Sequence, residues 1–158
     1  MEEQIMNMPA VALRGLTILP GMIAHFDISR ERSLRAVEEA MEQDQKIYLV
    51  TQRNVDSEDP TQEDLYQMGI VADIKQVVRL QNDVVRILVD GISRAALLGF
   101  TGNEKYLEAE ICYCDSNADS LPEDLREAML LGVREAFHRY PAVVGKISKE
   151  LIRQIDQY

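Results

Sequence analysis

Two long β-rich runs, Met68 to Leu80 and Val84 to Leu98, face each other across the polar triplet Gln81-Asn82-Asp83, and this pairing constrains the fold more than any other stretch. Branched aliphatic side chains crowd both runs, and such residues pack well on a pleated surface. The triplet is a hairpin turn signature. Strands usually run about five or six residues, so a pair this long must twist and curl to bury its apolar faces. Gly69, Gly91 and Gly99 give it places to bend, and Gly91 interrupts the second run as at a bulge or a sharp barrel corner.

The remaining front half supplies what such a sheet needs. Met8 to Arg14 alternates loosely, with Val11 and Leu13 on one face, and reads as a first strand. Leu19-Pro20-Gly21-Met22 is a Pro-Gly turn signal with apolar neighbours. Arg30 to Gln43 carries Leu34, Val37 and Met41 at helical spacing, with Ala36 and Ala40 beside them. Ser29 stands where an N-cap would, and Glu31 to Arg35 is a supporting i,i+4 pair. Lys46 to Thr51 is apolar enough for a strand buried on both faces, whereas Asn54 to Asp64 is acidic, aperiodic and broken by Pro60, as in an exposed loop. Tyr106 to Tyr113 sets Tyr106, Glu108 and Glu110 against Leu107, Ala109 and Ile111, a half-buried strand.

The pattern turns helical near residues 115–120. Ser120-Leu-Pro-Glu123 matches a capping box with Pro in the first turn. A helix is expected to run from there to about Tyr140, with Leu125, Met129, Val133, Ala136 and Tyr140 on one stripe. Pro141 and Gly145 punctuate, and Ser148 can cap a second helix bearing Leu151, Ile152 and Ile155. That helix reaches Tyr158 uncapped, as at the start of a longer helical region, so the chain reads as a piece of a larger protein. The expected class is therefore α+β: a curled, antiparallel-rich sheet or pseudo-barrel with one inserted helix over residues 1–115, then a helical segment over 116–158.

Composition excludes several functions. A formal charge of −10 sets the chain against nucleic acid and anionic lipid, which would repel it at long range. No basic leader precedes an apolar run and no stretch is long enough to span a bilayer, so a cytoplasmic location without membrane attachment is expected. Cys112 and Cys114 are spaced to share one face of a strand, lack a nearby His for a zinc site, and read as free thiols.

Catalytic equipment is missing from the pattern. Neither a phosphate-binding G-x-x-x-x-G-K-[ST] loop nor a G-x-S-x-G elbow occurs. His25 and His138 lie in separate segments without a nucleophile beside them, and Ser148 near Lys149 is better explained as a helix cap than as half of a dyad. The acidic run Asp56, Glu58, Asp59, Glu63, Asp64 lacks calcium-loop spacing. No catalytic residue, metal ligand or cofactor is expected here, which leaves binding. Leu19, Pro20, Met22 and Ile23 form or flank the Pro-Gly turn, where they either fold back onto the core or make an adaptable apolar patch for unfolded protein.

These residues also carry a resemblance. Met8-Pro-Ala-Val-Ala-Leu-Arg14 followed by Leu19-Pro-Gly-Met22 resembles the opening of the N-terminal, substrate-binding domain of bacterial Lon proteases. Ser29 to Met41 is similar to that family's first helix; Asp59-Pro-Thr-Gln-Glu-Asp-Leu-Tyr66 with Gly69-Ile-Val-Ala72 resembles its signature loop and next strand. Val89-Asp-Gly-Ile-Ser-Arg-Ala95 and Tyr106-Leu-Glu-Ala109 continue in order, while Ala12 and Gly15 depart from the usual Pro and Asn or Asp. The resemblance implies a PUA-like β-barrel that captures unfolded or degron-bearing proteins and supports hexamer assembly with other Lon subunits. It places ATP and magnesium in an ATPase module, and peptide cleavage in a Ser–Lys protease domain, neither with a counterpart here. Capture would use the Leu19–Ile23 turn and the sheet near the Leu80 and Val84 hairpin, with strand addition as one mode. The alternative is a free-standing Lon-domain adaptor or ligand-binding protein.

Overall fold

The computed structural model describes residues 5–114, 121–145, 147–148 and 152–153. The chain divides into two compact units, Met1–Asp115 and Ser116–Tyr158. The first holds β1 (Ile5–Leu13), β2 (Ile23–Ile28), α1 (Glu31–Glu42), β3 (Lys46–Thr51), β4 (Met68–Arg79), β5 (Val85–Phe100) and β6 (Glu108–Tyr113); α2 (Glu123–Val144) lies in the second.

The sheet runs β2-β5-β4-β3-β1-β6, and β5 pairs with β6 as well. That extra pairing closes β5, β4, β3, β1 and β6 into a barrel. β5 can serve two neighbours because it bends: its first half pairs with β2 (Val85 to Asp90) and its second half with β6 (Ala95 to Phe100). All pairings are antiparallel except β1 with β3, whose parallel link is made by the β2–α1 crossover. The bend comes from bulges. The β4–β5 register slips between Val71 and Ala72 and between Ile74 and Gln76, and the β5–β6 register slips between Leu97 and Gly99. Gly91 and Gly99 adjoin two of these slips, as expected. Gly69 serves a different end: a β-carbon there would run into the Tyr48 ring and the Leu49 carbonyl.

Closure explains why β3 is buried on both faces. Tyr48 and Val50 point into the barrel with Met8, Ala10, Val71, Leu97 and Ile111. Ile47 and Leu49 point outward, where Ala36, Val37 and Ala40 of α1 cover them together with Val11 and Leu13. Inside, the Tyr48 hydroxyl donates to the Ala95 carbonyl (3.1 Å), and burial pushes its pKa up. Lys46 and Asp73 pair across β3 and β4 at 3.0 Å, and that hydrogen bond holds the carboxyl below its usual pKa.

Several sequence expectations are corrected. β2 forms over Ile23–Ile28, where the sequence pattern predicts no strand. Ser29 does not cap α1: Arg30 is the N-cap residue, with no side-chain capping bond, and its guanidinium reaches Gln52 Oε1 (2.9 Å) and the Ser57 carbonyl (3.0 Å) instead. Met41 is exposed rather than part of the buried stripe, while the Glu31–Arg35 pair forms as expected. Tyr106 is buried against the α1 side of the sheet, not carried on the polar face with Glu108. Loop 54–64 is irregular and mostly exposed as anticipated, apart from a short 3-10 turn (Gln62–Asp64). The hairpin apex is a tight turn in which Asn82 (φ 59°) and Asp83 (φ 57°) both take the left-handed backbone.

In the second unit, α2 passes Tyr140 and continues through Pro141 to a left-handed cap at Gly145 (φ 75°), whose N–H donates to the Pro141 carbonyl (2.9 Å). Its N-cap is Pro122, and Ser120 lies outside the described residues. The expected second helix falls largely outside them too, although the Ile152 N–H donates to the Ser148 carbonyl (3.3 Å). Among the described residues no helix is long and apolar enough to cross a membrane, and no group of His, Cys, Asp and Glu is placed to hold a metal.

Candidate functional site

The Pro-Gly turn is built as its sequence dictates. Pro20 and Gly21 are its central residues, Gly21 has φ 78°, and the Met22 N–H donates to the Leu19 carbonyl (3.1 Å), as in a type II turn. Two further bonds clamp it to β5: Gly21 N–H to the Gly91 carbonyl (2.7 Å) and Gly91 N–H to the Met22 carbonyl (2.9 Å). Only glycine allows this approach, because a β-carbon at position 91 would sit 2.5 Å from the Leu19 carbonyl oxygen.

Ile18, just ahead of the turn, is buried. Leu19 (55% exposed), Met22 and Ile23 (71% exposed) stay in solvent, as does Pro20. At the hairpin, Leu80 is exposed and Val84 half-buried. The structure does not bring these two sets together. Ile23 lies opposite Asp90 and Ile28 opposite Val85, so the turn and the hairpin apex sit at the two ends of β2, separated by about 16 Å at the usual rise per strand residue. β2 is the outermost strand, and among the described residues no other strand pairs with its free edge.

What joins Leu19 instead is a groove of about 590 Å³, floored by Ile18, Leu49 and Gly69 and walled by Tyr66, Met68, Arg53 and Arg94. Tyr66 and Met68 are both exposed. Arg53 donates Nε–H to the Leu65 carbonyl (2.9 Å) and lays its guanidinium over the Tyr66 ring, 4.9 Å from its centre. Arg94 enters from β5, opposite Ile70. The volume suits a few side chains of an extended peptide. Sequence reasoning missed Tyr66, Met68, Arg53 and Arg94. The available signal was Arg94, the one charge in the otherwise uncharged stretch Ile92 to Leu98.

A smaller cavity of about 220 Å³ lies beside the start of α1, lined in part by Arg14, Arg30 and Ser33. Its arginines are already engaged: both donate to the Ser57 carbonyl (3.3 and 3.0 Å) and so fasten the acidic loop. Burial, then the neighbouring Arg14 charge, lowers the Arg30 pKa. His25 lies on the exposed face of β2 near Gln76, Val78, Arg86 and Leu88, beside the bidentate Asp27–Arg86 pair (2.7 and 2.8 Å).

Comparison with known proteins agrees with this architecture. Residues 7–158 match the family model described as the ATP-dependent protease La (LON) substrate-binding domain. Over 156 residues the chain is 38% identical to a Lon protease of Lachnoclostridium phytofermentans, and over 152 residues 35% identical to one of Clostridium acetobutylicum. These alignments cover 99% and 96% of this chain but 19% of each relative, so the chain spans about a fifth of their length. Among solved structures, the N-terminal domain of a Mycobacterium avium complex Lon protease superposes with a TM-score of 0.68 at 18% identity, covering 97% of this chain and 76% of that one. A Lon N-terminal domain protein from Xanthomonas campestris gives 0.58 at 16% identity, covering 83% and 72%. The fold is theirs, and on its sequence the chain belongs to the LON substrate-binding domain family.

Proposed function

We propose that this chain captures unfolded or degron-bearing proteins for an ATP-driven Lon-type protease, using the groove beside Leu19 as its primary contact. The carrying observation is that Leu19, Tyr66 and Met68 stand exposed around one concavity while the turn beneath them is clamped to β5. Apolar side chains held open on a rigid frame can accept apolar residues of an unfolded chain without first reorganising. Met22 at the turn adds an adaptable thioether suited to varied partners. The free edge of β2 leads from this turn to Leu80 and Val84, and offers strand addition as a second contact. In this reading nucleotide, magnesium and peptide cleavage belong to other parts of the protease, in the cytoplasm, and this domain also supports assembly with other Lon subunits.

Titration of the 158-residue chain with a reduced, denatured protein, followed by residue-resolved NMR, tests the site. Amide and methyl shifts should concentrate at Leu19, Tyr66 and Met68 and weaken in Leu19→Asp. Shifts confined to loop 54–64 or to α2 would overturn the assignment.

A further inference from the structure

The groove carries a charge pattern opposite to that of the molecule. The chain has 27 acidic and 17 basic residues, yet no carboxylate lines this groove and two guanidiniums do, Arg53 and Arg94. Among the described residues of the first unit, six other cations meet a carboxylate: Arg32 with Asp59, Arg35 with Glu31, Lys46 and Lys75 with Asp73, Arg79 with Glu38, and Arg86 with Asp27. Among the described residues, no hydrogen bond or ion pair engages the Arg94 side chain, and no carboxylate meets Arg53, whose donor goes to a backbone carbonyl and whose face lies on Tyr66. Guanidinium groups present planar forks of N–H donors that match carboxylate oxygens. Here those forks border apolar walls, where a charge-assisted bond is less weakened by water than on an open surface.

We propose that the groove selects extended segments in which apolar side chains alternate with aspartate or glutamate, the apolar residues seating against Leu19, Tyr66 and Met68 and the carboxylates meeting Arg94 and Arg53. This rests on the capture reading above and specifies the substrate class. The negative charge of the chain as a whole opposes approach of such segments from afar. At ~0.15 M salt, however, that field decays over about 8 Å, so the two arginines govern once the segment is seated.

The test uses fluorescein-labelled, C-terminally amidated peptides of roughly ten residues, long enough to cross the groove when extended. One alternates leucines with aspartates, a second replaces the aspartates with asparagines, and a third keeps the asparagines but ends in a free carboxylate. Fluorescence anisotropy at ~0.15 M salt should show the aspartate peptide binding about tenfold more tightly than its asparagine counterpart, the effect of one retained charge-assisted bond. Arg94→Gln should reduce that ratio to within about twofold, with Arg53→Gln acting in the same direction, while Arg94→Lys should keep part of it. Equal binding of the aspartate and asparagine peptides, both weakened by Leu19→Asp, would overturn the acid preference and leave the capture reading standing. Failure of Leu19→Asp to weaken any peptide would overturn both. A gain confined to the peptide with the free C-terminus would overturn the choice of side-chain carboxylates.

Discussion

Gly91 does two jobs at the Pro-Gly turn, and the second can be done only by glycine. It takes and gives a backbone hydrogen bond to the Pro-Gly turn, and its missing side chain lets the Leu19 carbonyl come close. An added methyl would also press on Ile70 Cδ1 at 2.8 Å, inside the outer core. Neither the Leu19 carbonyl nor the packed Ile70 can retreat without disturbing the clamp. Gly91→Ala is therefore expected to cost about 2 kcal/mol in urea unfolding, as overpacking of a well-filled site usually does. It should also broaden the NMR signals of residues 18–23 while leaving those of the distant hairpin apex sharp. Unchanged stability with an intact turn would show that the approach is looser than the backbone geometry indicates. Gly21 matters for a different reason, since it supplies the positive φ that a type II turn needs.

Among elements, the β4–β5 hairpin was legible in the sequence because its cues agree: branched residues on both sides, a polar triplet between them, and glycines near the bends. β2 was not legible. Its inward residues Ala24, Phe26 and Ile28 alternate properly, but outward Ile23 is apolar and exposed, which blurs the period-two signal. The groove was half legible for a related reason. Leu19 announced itself beside Pro-Gly, whereas Arg53, Tyr66 and Arg94 lie far apart in sequence and meet only because β3, β4 and β5 are neighbours. The hairpin turn itself carries a testable strain. Asn82 and Asp83 both adopt the left-handed backbone, and Asp83 does so without glycine's freedom. Asp83→Gly should stabilise the protein by about 0.5–1 kcal/mol in urea, glycine's added unfolded-state entropy offsetting part of the relieved strain. A fall in the urea midpoint would mean that the Asp83 side chain contributes more to the turn than its backbone costs.

For the molecule as a whole, closure is what makes a modest chain able to hold the groove beside Leu19 open. The barrel leaves β5 no free edge along its second half, and α1 covers the outer face of β1 and β3, so both cores are finished within the first unit. Every residue of the two buried clusters lies between Met8 and Ile111, and no residue of α2 is buried. The groove draws all its walls from that unit as well, from Leu13 to Arg94. Residues 1–115 alone are therefore expected to fold cooperatively, with an unfolding free energy in the ordinary range of about 5–15 kcal/mol and one urea transition seen by both fluorescence and circular dichroism. The fragment should keep the dispersed NMR signals of Tyr48, Ala95 and Ile111, and bind the aspartate-bearing peptide with the affinity of the full 158 residues. Loss of that dispersion would show that the barrel depends on the helical unit; retained dispersion with lost binding would place part of the peptide site in residues 116–158 instead.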